Sequence, residues 1–170
     1  GRVEVAGAEV GEWLPPRLGA LMPKGVVDGS VELGGTVADP SAVVDVGIES
    51  LTVAGRPFRA GRARATYEGG QLAIDDASFE MAGGRITIGG GYSQETGFSV
   101  EVAGDDLALG ELTDVWRSRL GLALTGDFTV RARVTGPASR PQLEFGATSG
   151  PLSVNQVGLD ELVVAGRFGE

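Results

Sequence analysis

The chain predicts an all-β protein, an antiparallel meander with one or two short helices. Apolar and polar residues alternate with a period of two along most of it, 29 of its 170 residues are glycine, and part of the pattern occurs twice. Alternation sends successive side chains to opposite faces of a strand. A glycine share well above the average of about 7%, without the triplet of collagen, marks many turns between short elements.

The first strand carries Val3-Glu4-Val5-Ala6-Gly7, a phrase that returns as Val100-Glu101-Val102-Ala103-Gly104. At that offset Val10 meets Leu107, Val27 meets Leu124, Gly29 meets Gly126, Val31 meets Phe128 and Leu33 meets Val130. Further on the register slips, with Pro40 answering Pro141 and Leu51-Thr52-Val53 answering Leu152-Ser153-Val154. Glycine and apolar positions agree while polar ones drift, which reports a repeated structural unit rather than a repeated active site. We read repeat units at 1–97 and 98–170, the second incomplete, and expect a piece of a longer array.

After the first strand, Leu14, Leu18, Leu21 and Met22 follow Pro15-Pro16 at helical spacing, and Leu112, Val115, Trp116 and Leu120 do so in the second unit. Each unit is therefore expected to carry one short amphipathic helix capping an end of the sheet. Strands are expected at 44–49, 62–68, 85–88, 98–102, 127–134, 143–145 and 162–164, where the alternation is clearest. Gly69-Gly70, Gly83-Gly84 and Gly89-Gly90-Gly91 are read as the hairpin turns between neighbouring runs.

Composition excludes much chemistry. The chain has no cysteine and no histidine, which removes thiolate catalysis, disulfides, the usual zinc ligands and the usual general base. A net charge of -9 opposes a nucleic-acid surface, so no nucleic-acid partner is expected. The sequence holds no apolar run of 18 or more residues.

Adjacent acids at Asp75-Asp76 and Asp105-Asp106 suit turns or strand ends better than calcium, because the alternating ligands and distal glutamate of a calcium loop are missing. Gly89-Gly90-Gly91 lacks the lysine and helix of a phosphate loop. Arg62 and Arg64 share the wet face of one strand and are expected to pair with acids such as Asp75 across strands. Lys24 is the sole lysine, and no residue has the neighbours of an activated nucleophile. We expect no catalytic residue, cofactor or metal site, and no enzymatic activity.

What stands out is the dry face, carrying Val44, Val46, Ile48, Tyr67, Ile74, Phe79, Ile86, Ile88, Val100, Val102, Phe128 and Val130. Two short helices are too little to cover it. Either the sheet folds onto itself as a closed sandwich or barrel, the interior of a structural stalk, or it curls into a trough open to an apolar ligand. A third use is strand addition at an unpaired edge.

The order of these pieces resembles the TamB and AsmA-like family of envelope proteins. The resemblance rests on Asp28-Gly29-Ser30-Val31-Glu32-Leu33, Asp39-Pro40, Leu51-Thr52-Val53, the run Gly83 to Gly90, and Phe98 to Gly104. The second round adds Leu124 to Phe128, Gly136-Pro137 to Pro141, and Leu152-Ser153-Val154. It implies a twisted half-pipe with a hydrophobic groove, one segment of a periplasmic bridge anchored in the inner membrane by a helix outside this sequence. It further implies phospholipid acyl chains as cargo, adjacent repeats of the same chain as neighbours, and an Omp85-type outer-membrane barrel as a partner in outer-membrane protein assembly. The groove-lining role carries over to the dry-face residues named above together with Val31, Leu33, Phe145 and Val164.

Overall fold

The structure, a computed structural model, describes residues 1–9, 24–53, 56–113, 121 and 123–169. Alternating segments build strands β1 (Arg2–Glu9), β2 (Lys24–Gly35), β3 (Pro40–Val53), β4 (Arg56–Glu68), β5 (Gln71–Met81), β6 (Gly84–Ser93) and β7 (Gly97–Ala108). A single helical turn, α1 (Leu109–Leu112), precedes β8 (Leu124–Thr125), β9 (Asp127–Gly136), β10 (Gln142–Ser149), β11 (Leu152–Val154), β12 (Val157–Leu159) and β13 (Leu162–Phe168). Ten of these form one antiparallel sheet in the order β1-β2-β3-β4-β5-β6-β7-β9-β10-β13, an open meander curled into a half-pipe whose edges β1 and β13 do not meet. The remaining three make a small sheet, β12-β11-β8.

The two ends of the large sheet differ. Tight turns at 36–39, 69–70 and 94–96 close one end, and we call it the turn end. At the other, the insertion end, the chain leaves the sheet between β7 and β9 to form α1 and β8, and again between β10 and β13 to form β11 and β12. The closed core of the described residues lies mainly there: Leu107 is 2% exposed and Leu152 5%, beside the buried Thr113 and Ser149. Gly104 makes room for it, since a Cβ on that residue would lie 2.7 Å from Leu107 Cδ1 and 2.8 Å from Val130 Cγ1.

Strand pairing revises the repeat register. Gly29 pairs with Val46 and Val46 with Ala63, while Val130 pairs with Ala147 and Ala147 with Val164, so β2, β3 and β4 recur 101 residues on. The equivalences Pro40 with Pro141 and Leu51 with Leu152 fit this register, but Val31 is equivalent to Ala132 rather than to Phe128. The slip thus comes before β2 and not after it. Both registers differ by an even number of residues, so the faces are unaffected.

Three other expectations change. Gly89-Gly90-Gly91 is not a turn but lies inside β6, with Gly90 at φ +109 opposite a bulge in β5. Asp75-Asp76 forms that bulge, and Asp105-Asp106 forms one in β7 with Asp106 at φ +54, so both acid pairs lie within strands. The second helix is one turn, Leu109–Leu112, and Val115, Trp116 and Leu120 lie outside the described residues, as do Leu14 to Met22.

Candidate functional site

Residues paired across antiparallel strands share a face, so the registers define which side chains assemble. One row runs Val3, Val31, Val44, Ala65, Ile74, Gly90, Val100, Val134, Leu143 and Phe168. The next runs Val5, Gly29, Val46, Ala63, Ala77, Ile88, Val102, Ala132, Phe145 and Gly166. A third contains Ile48, Gly61, Phe79, Ile86, Gly104, Val130, Ala147 and Val164; Gly61 joins it through its close approach to the Phe79 ring. None of these positions carries a charge. The first two rows reach from one free edge to the other, a span of about 43 Å at the usual strand spacing.

All sixteen residues singled out in the sequence sit on this face. Thirteen lie in the three rows. Leu33 and Tyr67 extend the face toward the turn end, and Phe128, paired with Leu107, extends it toward the insertion end. Most are half-buried, and exposure rises at Leu33, at 53%, and at Val164 on the β13 edge, at 44%. Across the described residues the buried apolar side chains are only Ala77, Ala82, Leu107 and Leu152, so no second layer seals the face there.

Further apolar members went unnamed in the sequence. Leu72, Tyr92 and Phe98 continue the Tyr67 row, with the Tyr92 and Phe98 rings 5.0 Å apart, and Phe168 stacks on Phe145 at 5.9 Å. Tyr92 follows three glycines and so interrupts a visible alternation. Phe168 needed its partner Leu143 to be placed.

The opposite face is polar and holds a cleft of about 820 Å3 over β6, β7, β9 and β10. Acids and bases alternate on the floor of this cleft and on the strand residues beside it. Glu101, Arg133, Glu144 and Arg167 face one another in register, with ion pairs Glu101–Arg133 and Glu144–Arg167, and Arg131 holds Asp105 at 2.7 Å. Each of these guanidinium groups is matched by a carboxylate, so the floor offers no net attraction for an anion. Farther along the sheet Arg62 pairs with Asp76 at 2.7 Å rather than with Asp75, whose carboxylate accepts the Thr66 hydroxyl.

Among the described residues no group of acids is placed to hold a metal ion, and no helix is long and apolar enough to cross a membrane. Comparison of the chain with family models, curated proteins and solved structures returned no match. The distinguishing feature of the molecule is therefore the chemical contrast between its two sheet faces.

Proposed function

We propose that the chain is a segment of a lipid-conducting trough, in which phospholipid acyl chains lie against the apolar face while headgroups stay in water. One observation carries this reading: rows of uncharged side chains cross the open sheet to both free edges with no layer over them among the described residues. An acyl chain placed there leaves water at about 0.8 kcal/mol for each methylene buried. The face offers small and branched side chains in succession and no polar anchor in its central rows, which suits movement along it better than one tight site. No bond is made or broken in such a role.

The resemblance to TamB and AsmA-like proteins supplies the setting of the proposal. It is a periplasmic bridge held in the inner membrane by an anchor outside this sequence, moving phospholipid between membranes and assisting assembly with an Omp85-type barrel.

Native mass spectrometry of the gently purified chain, followed by lipid extraction, tests the reading. Co-purifying phospholipid that disappears in Val46→Asp and Ile88→Asp, while both variants keep their far-ultraviolet spectrum, is the expected result. A lipid-free mass that persists after lipid is added would overturn it and favour a purely structural repeat.

A further inference from the structure

The apolar face has two unlike margins. Both tyrosines of the chain, Tyr67 and Tyr92, stand in the row nearest the turn end, on either side of Leu72. Tyr67 is exposed and Tyr92 half-buried, its ring 5.0 Å from that of Phe98, and among the described residues neither hydroxyl has a hydrogen-bond partner. Toward the insertion end the aromatic members carry no hydroxyl: Phe79 meets Phe58 edge to face at 6.3 Å, and Phe128 stands opposite Leu107. That margin is closed against water by the buried Leu107 and Leu152. Between the margins, Tyr92 and Ile86 lie six residues apart along β6, about 20 Å at the usual rise of a strand. The hydrocarbon of one bilayer leaflet is about 15 Å deep, half of a core of about 30 Å. The face is thus wide enough for one lipid layer and too narrow for two.

We infer that phospholipid lies in the trough in one orientation, with its headgroup at the turn end beside Tyr67 and Tyr92 and its acyl chains running along the strands toward the insertion end. The inference rests on the lipid-carrying reading proposed above and adds a direction to it. Tyrosine, apolar in its ring and polar at its tip, settles where hydrocarbon meets water, as it does at the two surfaces of a membrane. Here such a boundary is built on one margin only. The reverse orientation would set a charged headgroup against the closed core at Leu107, where its desolvation would go uncompensated, and would strand the acyl ends at the wet turns. Tyr67 and Tyr92 are two strand spacings apart, about 10 Å, so hydroxyls recur along the direction that crosses the strands. Lipids moving that way keep their headgroups on one side and need not turn over.

Photo-crosslinking of the full chain tests it, with two phosphatidylethanolamine probes, one carrying a diazirine on the headgroup and the other at the acyl end, and with peptide mapping of the labelled sites. The headgroup probe should label residues 67–72 and 92–98 several-fold more than 79–88, and the acyl-end probe should do the reverse. Tyr67→Phe combined with Tyr92→Phe removes only two hydroxyl groups. This variant should keep its melting curve and its bound lipid by native mass spectrometry, while the ratio of labelling between the two ends falls toward one. Equal labelling of both ends by each probe, or a reversed pattern, would overturn the orientation while leaving lipid on the apolar face. An unchanged ratio in the double variant would overturn it as well, by taking the tyrosine hydroxyls out of the account. Failure of both probes to label the apolar face would instead overturn the lipid-carrying reading, and the orientation with it.

Discussion

Strands β2, β3 and β4 run unbroken through the large sheet, whereas their equivalents 101 residues on are each cut in two. Lys24 pairs with Thr52 and Thr52 with Pro57 inside the large sheet, and the matching trio Thr125, Ser153 and Gly158 forms the small one. The cut follows a line already marked in the first copy. There β3 bulges at Glu49 and β4 turns through Ala60 at φ +42, and the equivalent positions are Gly150 and Glu161. What differs is Pro151, which stands where the first copy has Ser50, a residue paired on both sides with Val26 and Arg59. Proline has no N–H to give a ladder and restricts the residue before it. A bulge that the first copy absorbs becomes a break in the second, and the freed strands pair with one another as the small sheet, with β8 beside α1. The same repeat thus serves as plain trough wall in one place and as a capped end in the other.

If the capped end is the true core, it should dominate stability. Leu107→Ala is expected to cost about 2–5 kcal/mol in urea unfolding, as for other fully buried leucines. Val46→Ala, on the half-buried trough wall, should cost about 1 kcal/mol, in line with two methyl groups partly removed from water. Equal losses at the two positions would mean that the trough wall is packed like a closed interior.

The junction between the sheets can be probed through its glycines. Gly126 has φ +124, and a Cβ on it would lie 2.9 Å from Leu152 Cβ and from the Pro151 carbonyl oxygen, so Gly126→Ala should destabilise by about 1–3 kcal/mol. Gly150, on the same break, has nothing within 4 Å of an added Cβ, and Gly150→Ala should be neutral within about 0.5 kcal/mol. Loss of amide protection confined to β8, β11 and β12 in the first variant, seen by hydrogen exchange, would locate the effect. Loss spread evenly over the large sheet would contradict the idea that the small sheet is a separate unit.

The fold class and the apolar face were legible because both rest on period two, which Val44 to Ile48 or Phe128 to Val134 display directly. The repeat register was not. Residues alternating with period two match equally well at any even shift, so offsets of 97 and 101 both align apolar with apolar, and only strand pairing separates Phe128 from Ala132 as the counterpart of Val31. The glycine run at 89–91 misled for a related reason. Glycine accommodates a positive φ equally in a turn or opposite a bulge, and the bulge at Asp75-Asp76 belongs to the neighbouring strand. The break at Pro151 was visible as a proline, but its consequence depends on the two strands that Ser50 joins in the other copy.

A small expected effect separates the two faces. The Glu101–Arg133 pair is more than half exposed on both sides, so Glu101→Gln should lower stability by under about 1 kcal/mol, and the difference should shrink at high salt. That weakness is consistent with a division of labour between the faces. The polar ladder resists solvent-side pairing errors through the repulsion that any misregistered strand would bring, while burial on the other face holds the sheet together. A salt-independent loss of several kcal/mol from Glu101→Gln would reverse the assignment, and would make the cleft on the polar face the place where the fold is held.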